Sequence, residues 1–398
     1  MGESAAERCV FSGRVPSRLS PNRIARARAA APPRFDLTVS NPTACELPYP
    51  AGILTALGNN RGVAYRPHPR GLASARDAVA AEYRRLGAEV DPEHIVLTAS
   101  TSEAYAFIFK LLGDPGEAVL VPSPSYPLLE HLAALEGLES VTYHLDPEAN
   151  WRIPLHELEG APSRVRAVVV VHPNNPTGSY VHADDAAAVA ALCARRGWAL
   201  VADEVFLDYP LGDRSGAAAS FAMSGSETLT LALGGLSKSV GLPQLKLAWI
   251  AVGGPPDLAA RAIEGLEFIG DAFLSVATPV QLALPALLAK GAAVRGAIRE
   301  RCRANLAEAR RAVASYPAMS LVLPEGGWNG TLRFPAVVGE EDLALELLSL
   351  DSVAIHPGFF FDFPVEGIAV FSLLPPPELF AEGIDRTLRR IARHLERI

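Results

Sequence analysis

Cysteine is almost missing from this chain. The four that occur in 398 residues, Cys9, Cys45, Cys193 and Cys302, are scattered and form no CxxC pair. That excludes a disulfide framework and a zinc knuckle and points to a reducing, cytoplasmic compartment. Excess basic charge is missing too: the net charge is −8 and the pI near 5.7, so no nucleic-acid footprint is expected. The nine histidines show no HExxH spacing, and no metal site is expected. Long apolar runs are lacking. The longest uncharged stretch, 273–289, contains Pro279 and Pro285 and reads as core, not as a membrane span. No signal-peptide pattern and no internal repeat stand out. The one basic cluster is N-terminal: Arg14, Arg18, Arg23, Arg26, Arg28 and Arg34. It reads either as an Arg- and Ala-rich transit peptide or as a folded arm. The helical look of 22–28, running straight into the apolar segment 35–39, favours the arm.

What remains is an ordinary globular composition, 49% hydrophobic and 20% charged, long enough for two or three subdomains. The stretch 228–243 organises the rest. An apolar run with threonines suits a buried strand; Gly234 and Gly235 then break it, and Ser237-Lys238-Ser239 follows. A lysine just past a buried strand sits at the rim of a sheet, where α/β proteins hold ligands. There its amine can be desolvated and its pKa lowered, as a Schiff-base lysine requires. Alternatively it is a solvated loop lysine. A P-loop is excluded, since serine and not glycine precedes Lys238.

Other strand ends carry similar punctuation. The strand 94–98 leads into Ser100-Thr101-Ser102-Glu103, a capping box that is either a plain cap or an anion site at a helix N-terminus. The strand 117–121 ends in Pro124-Ser125-Tyr126-Pro127, where the aromatic can wall a ligand or simply pack. The β-branched run 166–171 reads as a strand buried on both faces. It ends in His172-Pro173-Asn174-Asn175-Pro176-Thr177-Gly178, with Asn175-Pro176 a candidate cis bond and His172 a structural residue. The strand 198–202 ends in Asp203-Glu204, whose side chains should point to opposite faces, so that only one of them serves a site. Helices are expected over 72–85, 100–112 and 183–196, a further strand over 244–252, and helical sequence through 289 and again over 295–315. This alternation predicts an α/β sheet of mostly parallel strands. Strands near 321–323, 330–334 and 368–373, closed by a helix over 377–398, predict a smaller α+β part.

Taken in order, Ser40-Asn41-Pro42-Thr43, Tyr65 with Gly71, Pro124-Ser125-Tyr126, Asn174-Asn175-Pro176-Thr177-Gly178, Asp203-Glu204-Val205 and Ser237-Lys238 resemble the class I/II aminotransferases over roughly 35–395. The resemblance implies the type I fold of pyridoxal-phosphate enzymes: a three-layer α/β sandwich with a mostly parallel sheet plus a smaller α+β domain. The divisions expected are an N-terminal arm over 1–44, a cofactor-binding domain over 45–285 and a small domain over 286–398. It implies pyridoxal 5′-phosphate as cofactor, with Lys238 as its aldimine lysine and proton carrier and Asp203 against the pyridine nitrogen. Asn175 would meet the 3-oxygen and Tyr126 the ring face. Ser100, Thr101, Ser237 and Lys246 would hold the phosphate, joined by Tyr65 of a neighbouring subunit in a homodimer with shared sites. Asn41 and Arg333 are substrate-facing candidates, Arg333 reading equally as a surface ion pair. The partners implied are an amino donor and a 2-oxo acid, with no nucleic acid and no membrane.

Four positions depart from the family pattern. Phe206 stands for a tyrosine, Gly235 for a phosphate-binding serine and Lys246 for an arginine, which keeps the charge but loses the bidentate fork. In the C-terminal strand Val370-Phe371-Ser372 replaces an Arg-x-Ser pattern whose arginine would clamp the substrate carboxylate. The expected activity is amino-group transfer. Decarboxylation, elimination or oxidation on the same fold is the alternative that the departures favour, and a non-catalytic cofactor-binding module is a third.

Overall fold

The computed structural model describes residues 12–16, 19–222 and 226–396. Cys9 and Arg18 lie outside them. Seven strands form the central sheet, in the spatial order Ile95–Thr98, Ala248–Gly253, Thr230–Gly235, Ala199–Asp203, Val165–Val171, Ala118–Ser123, Glu139–His144. Only Ala248–Gly253 runs antiparallel to its neighbours. The carboxyl ends of the other strands therefore share one edge.

Alternation along each strand sorts the side chains into layers. Val96, Val119, Val169, Val201, Leu231 and Ile250 face one side, where the helices Thr101–Leu112 and Pro256–Phe273 cover them. Leu120, Val168, Leu200 and Ala202 face the other, against Ala183–Arg196. Apolar runs without alternation in the sequence thus become strands buried on both faces, the middle layer of three. A second sheet of four antiparallel strands, ordered His356–Pro357, Ile368–Ser372, Asn329–Arg333, Ser320–Val322, packs with the amphipathic helix Pro377–Leu395 into the smaller α+β part. Among the described residues no helix is long and apolar enough to cross a membrane.

The expected helix at 22–28 is the helix Arg23–Ala30, started by the Asn22 side chain, which accepts from the Ala25 amide at 2.7 Å. Arg23 pairs with Glu341 at 2.7 Å, so the arm lies on the smaller part. The segment 35–39 is a strand only at Phe35–Asp36, pairing with Val353–Ala354. The helical sequence after Gly253 divides differently from expectation. One helix is Pro256–Phe273, and after Leu274 turns left-handed a single 36-residue helix, Thr278–Val313, runs on with Pro285 inside it. The strand expected from 244 begins only at Ala248. Pro243–Leu245 is instead a 3-10 turn, and Lys246 takes a positive φ of 51°.

Candidate active site at the carboxyl edge of the sheet

The strand Thr230–Gly235 ends against its neighbour so closely that a Cβ on Gly235 would stand 2.9 Å from the Ala248 Cβ. The chain then makes one short turn, Leu236–Ser239. Its carbonyls are tied from outside: the Tyr209 hydroxyl donates to the Lys238 carbonyl, and Arg295 Nε donates to the Ser239 carbonyl at 2.9 Å. Arg295 belongs to a buried set with Glu82 at 2.8 Å and Asp208 at 3.4 Å. The backbone of the turn is thereby fixed while its lysine is left free. Lys238 Nζ has no ion pair or hydrogen bond among the described residues. It lies over two rings, 4.9 Å from the centre of Trp328 and 5.6 Å from that of Phe206. Burial pushes its ammonium down from 10.5 to about 8, against the opposing pull of Asp203.

Asp203 closes the adjacent strand, and the expected divergence of Asp203 and Glu204 is present. The carboxylate of Asp203 accepts from the Tyr105 hydroxyl at 3.1 Å and the Val205 amide at 3.2 Å. Glu204 turns the other way, to Ser220 at 2.7 Å and the Phe221 amide at 2.6 Å. Burial raises Asp203 to about 6, although both hydrogen bonds and Lys238 act in the opposite direction. Burial and the charge of Asp203 both raise the Tyr126 phenol, which marks that ring as a neighbour of the carboxylate.

The next two strand ends are stitched together. Asn174 is buried and donates to the Pro124 carbonyl and to Thr177 Oγ1, both at 2.9 Å, so it is a structural residue. His172 is likewise structural: it accepts from the Val181 amide at 3.0 Å, and burial drops it to about 3. Asn175, half-buried, accepts instead from the side-chain amide of Asn329 in the smaller part. The bond before Pro176 is cis, as expected, and so are those before Pro124 and Pro173. At the first strand end Ser100 Oγ accepts from the Glu103 amide at 3.1 Å. Glu103 reaches back one residue further than a capping box requires, to the Ala99 amide at 2.6 Å. Thr101 opens the helix behind it, with the positive end of the helix dipole facing the sheet edge.

Lys238, Asp203, Tyr126, Asn175, Ser100, Thr101 and Ser237 thus all stand on the carboxyl edge. Lys246 is exposed beyond it. Three expected residues make no hydrogen bond or ion pair to the cluster among the described residues. Tyr65 is 77% exposed on its own loop. Asn41 is exposed and spends its side-chain oxygen on the Thr43 amide and hydroxyl, at 3.1 and 2.8 Å. Arg333 lies four residues along its strand from Asn329, about 13 Å at strand rise; it is exposed and 3.9 Å from Glu148. Sequence reasoning passed over Tyr105, Tyr209, Trp328 and Asn329. A rare Trp-Asn pair directly after Gly326-Gly327 was the available signal for two of them; a tyrosine on an ordinary helix face offered none.

The donor set fits an aromatic cation carrying a phosphate. A buried carboxylate with acceptor capacity to spare faces a half-buried, unpartnered amine. An aromatic ring stands beside them, and hydroxyls at a helix N-terminus lie at the same edge.

The description "Aminotransferase class I and II" matches residues 36–329. An S-alkyl-thiohydroximate lyase of Arabidopsis thaliana is 33% identical over 242 residues, covering 60% of this chain and 52% of the lyase. The chain thus spans about half the length of that relative. An alanine aminotransferase of Mycobacterium tuberculosis is 28% identical over 328 residues, covering 80% of this chain and 76% of that enzyme. Among solved structures, an aspartate aminotransferase of Thermus thermophilus superimposes with a TM-score of 0.82 at 23% identity, covering 96% and 99% of the two chains. At that identity the likeness establishes the fold.

Proposed function

This chain belongs to the class I and II aminotransferases, and we propose that within that family it is a pyridoxal-phosphate-dependent transaminase, moving an amino group between an amino acid or related amine and a 2-oxo acid. The carrying observation is the pair at the sheet edge: a half-buried, unpartnered Lys238 beside a buried Asp203 that has no cation of its own. Bound there, the cofactor supplies an electron sink for the pair left on the substrate's α-carbon. The chain's own residues do the rest. Asp203 would hold the cofactor's ring nitrogen and favour its protonated form. Lys238, with its ammonium already lowered to about 8, gives up and takes back a proton near neutral pH. Tyr126 would hold the ring's face and Asn175 its 3-oxygen. Ser100, Thr101, Ser237 and Lys246 take the phosphate, with Tyr65 of a second copy reaching across in a homodimer. Residues 45–285 would form the cofactor-binding unit and 286–398 the smaller one, joined through the helix Thr278–Val313. The buried, unpaired Cys45, Cys193 and Cys302 suit a reducing cytoplasm.

The test is the visible spectrum of the purified protein with the cofactor, beside Lys238→Ala, before and after a panel of amino donors. A band that depends on Lys238, bleached by a donor and restored by a 2-oxo acid, is the expected result. The lyase relative and Phe206 favour a second reading, elimination on the same fold. That reading takes over if donors are consumed while no 2-oxo acid is needed to restore the band. No Lys238-dependent band at all would sink both.

A further inference from the structure

Position 370, where the resemblance leads to an arginine, is sealed in hydrocarbon. Val370 is 1% exposed and shares one apolar cluster with Val322, Phe361 and Phe363. Thr331 opposes it on one side and His356 on the other, so their side chains share its face. Neither supplies a charge. Thr331 Oγ1 is buried without a hydrogen-bond partner. Burial pushes His356 down, keeping the ring neutral, and its edge meets Phe361 at 5.7 Å. The wall is held against the reactive edge by the backbone: the Ser125 amide donates to the Phe361 carbonyl at 3.1 Å and the Ser123 hydroxyl to the Asp362 carbonyl at 2.6 Å. What is reachable at this end is the Asn175–Asn329 pair, two half-buried amides already bonded to each other. Their remaining N–H and C=O groups can each serve a ligand. A carboxylate laid here would be stripped of water against apolar side chains, and the guanidinium that acts on His356, that of Arg28, is already held by Asp36 and Thr38. A neutral group that both donates and accepts would be satisfied.

We propose that the amino-bearing substrate of this enzyme presents an uncharged, hydrogen-bonding group beside its reacting carbon, of the carboxamide or hydroxymethyl kind, seated on Asn175 and Asn329 against the Val370 wall. This inference rests on the transaminase reading. In the reaction the donor's C–H and C–N bonds break, the amino group passes to the bound cofactor with two electrons and the proton from that carbon, and water supplies the oxygen of the matching carbonyl compound that leaves. A 2-oxo acid then takes the amino group in the reverse sense. Since it visits the same corner, it should bind weakly.

The experiment uses the cofactor-loaded full chain. Bleaching of the Lys238-dependent band is followed with L-alanine against L-alaninamide, and with L-phenylalanine against L-phenylalaninamide and L-phenylalaninol, each corrected for its fraction of free amine. The neutral member is expected to be at least about tenfold more efficient, about 1.4 kcal/mol. Val370→Arg should reverse the order and lower the KM of pyruvate. Should that variant not fold, calorimetry on the wild type replaces it. 2-Aminoisobutyramide and 2-aminoisobutyrate have no hydrogen to lose and bind without transamination; the amide should bind at least about tenfold tighter by the same arithmetic. A free acid that equals or beats its neutral counterpart in both readouts overturns the inference while leaving the transaminase reading intact. A band that no donor of either kind bleaches removes the reading and the inference together.

Discussion

Asp203 is buried and Lys238 half-buried, and each is displaced toward its neutral form by the loss of water around it. Such a site stores a cost, and the cost has a pH signature. The unfolded chain releases the Asp203 proton near 3.8, the folded chain only near 6. Folding is therefore penalised above about pH 6 and unpenalised below about pH 4. Asp203→Asn should make the cofactor-free protein more resistant to urea at pH 7, by about 1–3 kcal/mol, with the gain gone at pH 4. Lys238→Met gives the mirror image. Its folded ammonium titrates near 8 against 10.5, so the gain is full below pH 8 and vanishes as pH rises past 10.5. Urea titrations at pH 4, 7 and 10.5 separate the two. A gain for Asp203→Asn that persists at pH 4 would mean that packing, not ionisation, carries the cost. Both substitutions would improve stability at the expense of the chemistry, as expected of a site selected for function.

At the scale of elements, what the sequence made legible follows from repetition of one physical signal. The runs 95–98, 167–171, 199–202 and 230–235 are buried on both faces, and only a sheet covered on both sides satisfies them. The strand Glu139–His144 was not legible, because it is an edge strand whose only buried side chain is Tyr143. The break at 274–277 was missed for a different reason: Leu274 ends its helix left-handed without the glycine that usually marks such an end, while Pro285, a usual breaker, sits inside a helix. Gly235 is the departure that the fold itself explains. Its φ of 177° is ordinary extended backbone, so no strain is involved. The constraint is the 2.9 Å from its virtual Cβ to the Cβ of Ala248, on the antiparallel neighbour. Gly235→Ser should therefore force the two strands apart and lower stability by about 1–3 kcal/mol, read as a lower urea midpoint in the cofactor-free protein. Gly235→Ala should cost about the same. If the serine variant were fully stable and bound cofactor more tightly, the close approach would not be what keeps glycine there.

For the whole molecule, the sequence located one wall of the site better than the other. Lys238, Asp203, Asn175, Tyr126 and Ser100 lie at strand ends, where short loops leave the side chains few places to go. Trp328 and Asn329 come from the smaller sheet, and their approach to Lys238 and Asn175 depends on how two parts distant in sequence pack, which no local pattern encodes. Tyr65 poses the same problem one level higher: it is 77% exposed on its own loop. If it completes the site of a second copy, two defective chains should repair each other. Lys238→Ala and Tyr65→Ala homodimers are each expected to be strongly impaired. Mixed, unfolded and refolded together in equal amounts, half the dimers become hybrids. Each hybrid then holds one site with an intact Lys238 from one chain and an intact Tyr65 from the other. Activity should climb to about a quarter of wild type by this count for a two-fold dimer. Were Tyr65 to act only within its own subunit, every site would carry one defect and mixing would restore nothing.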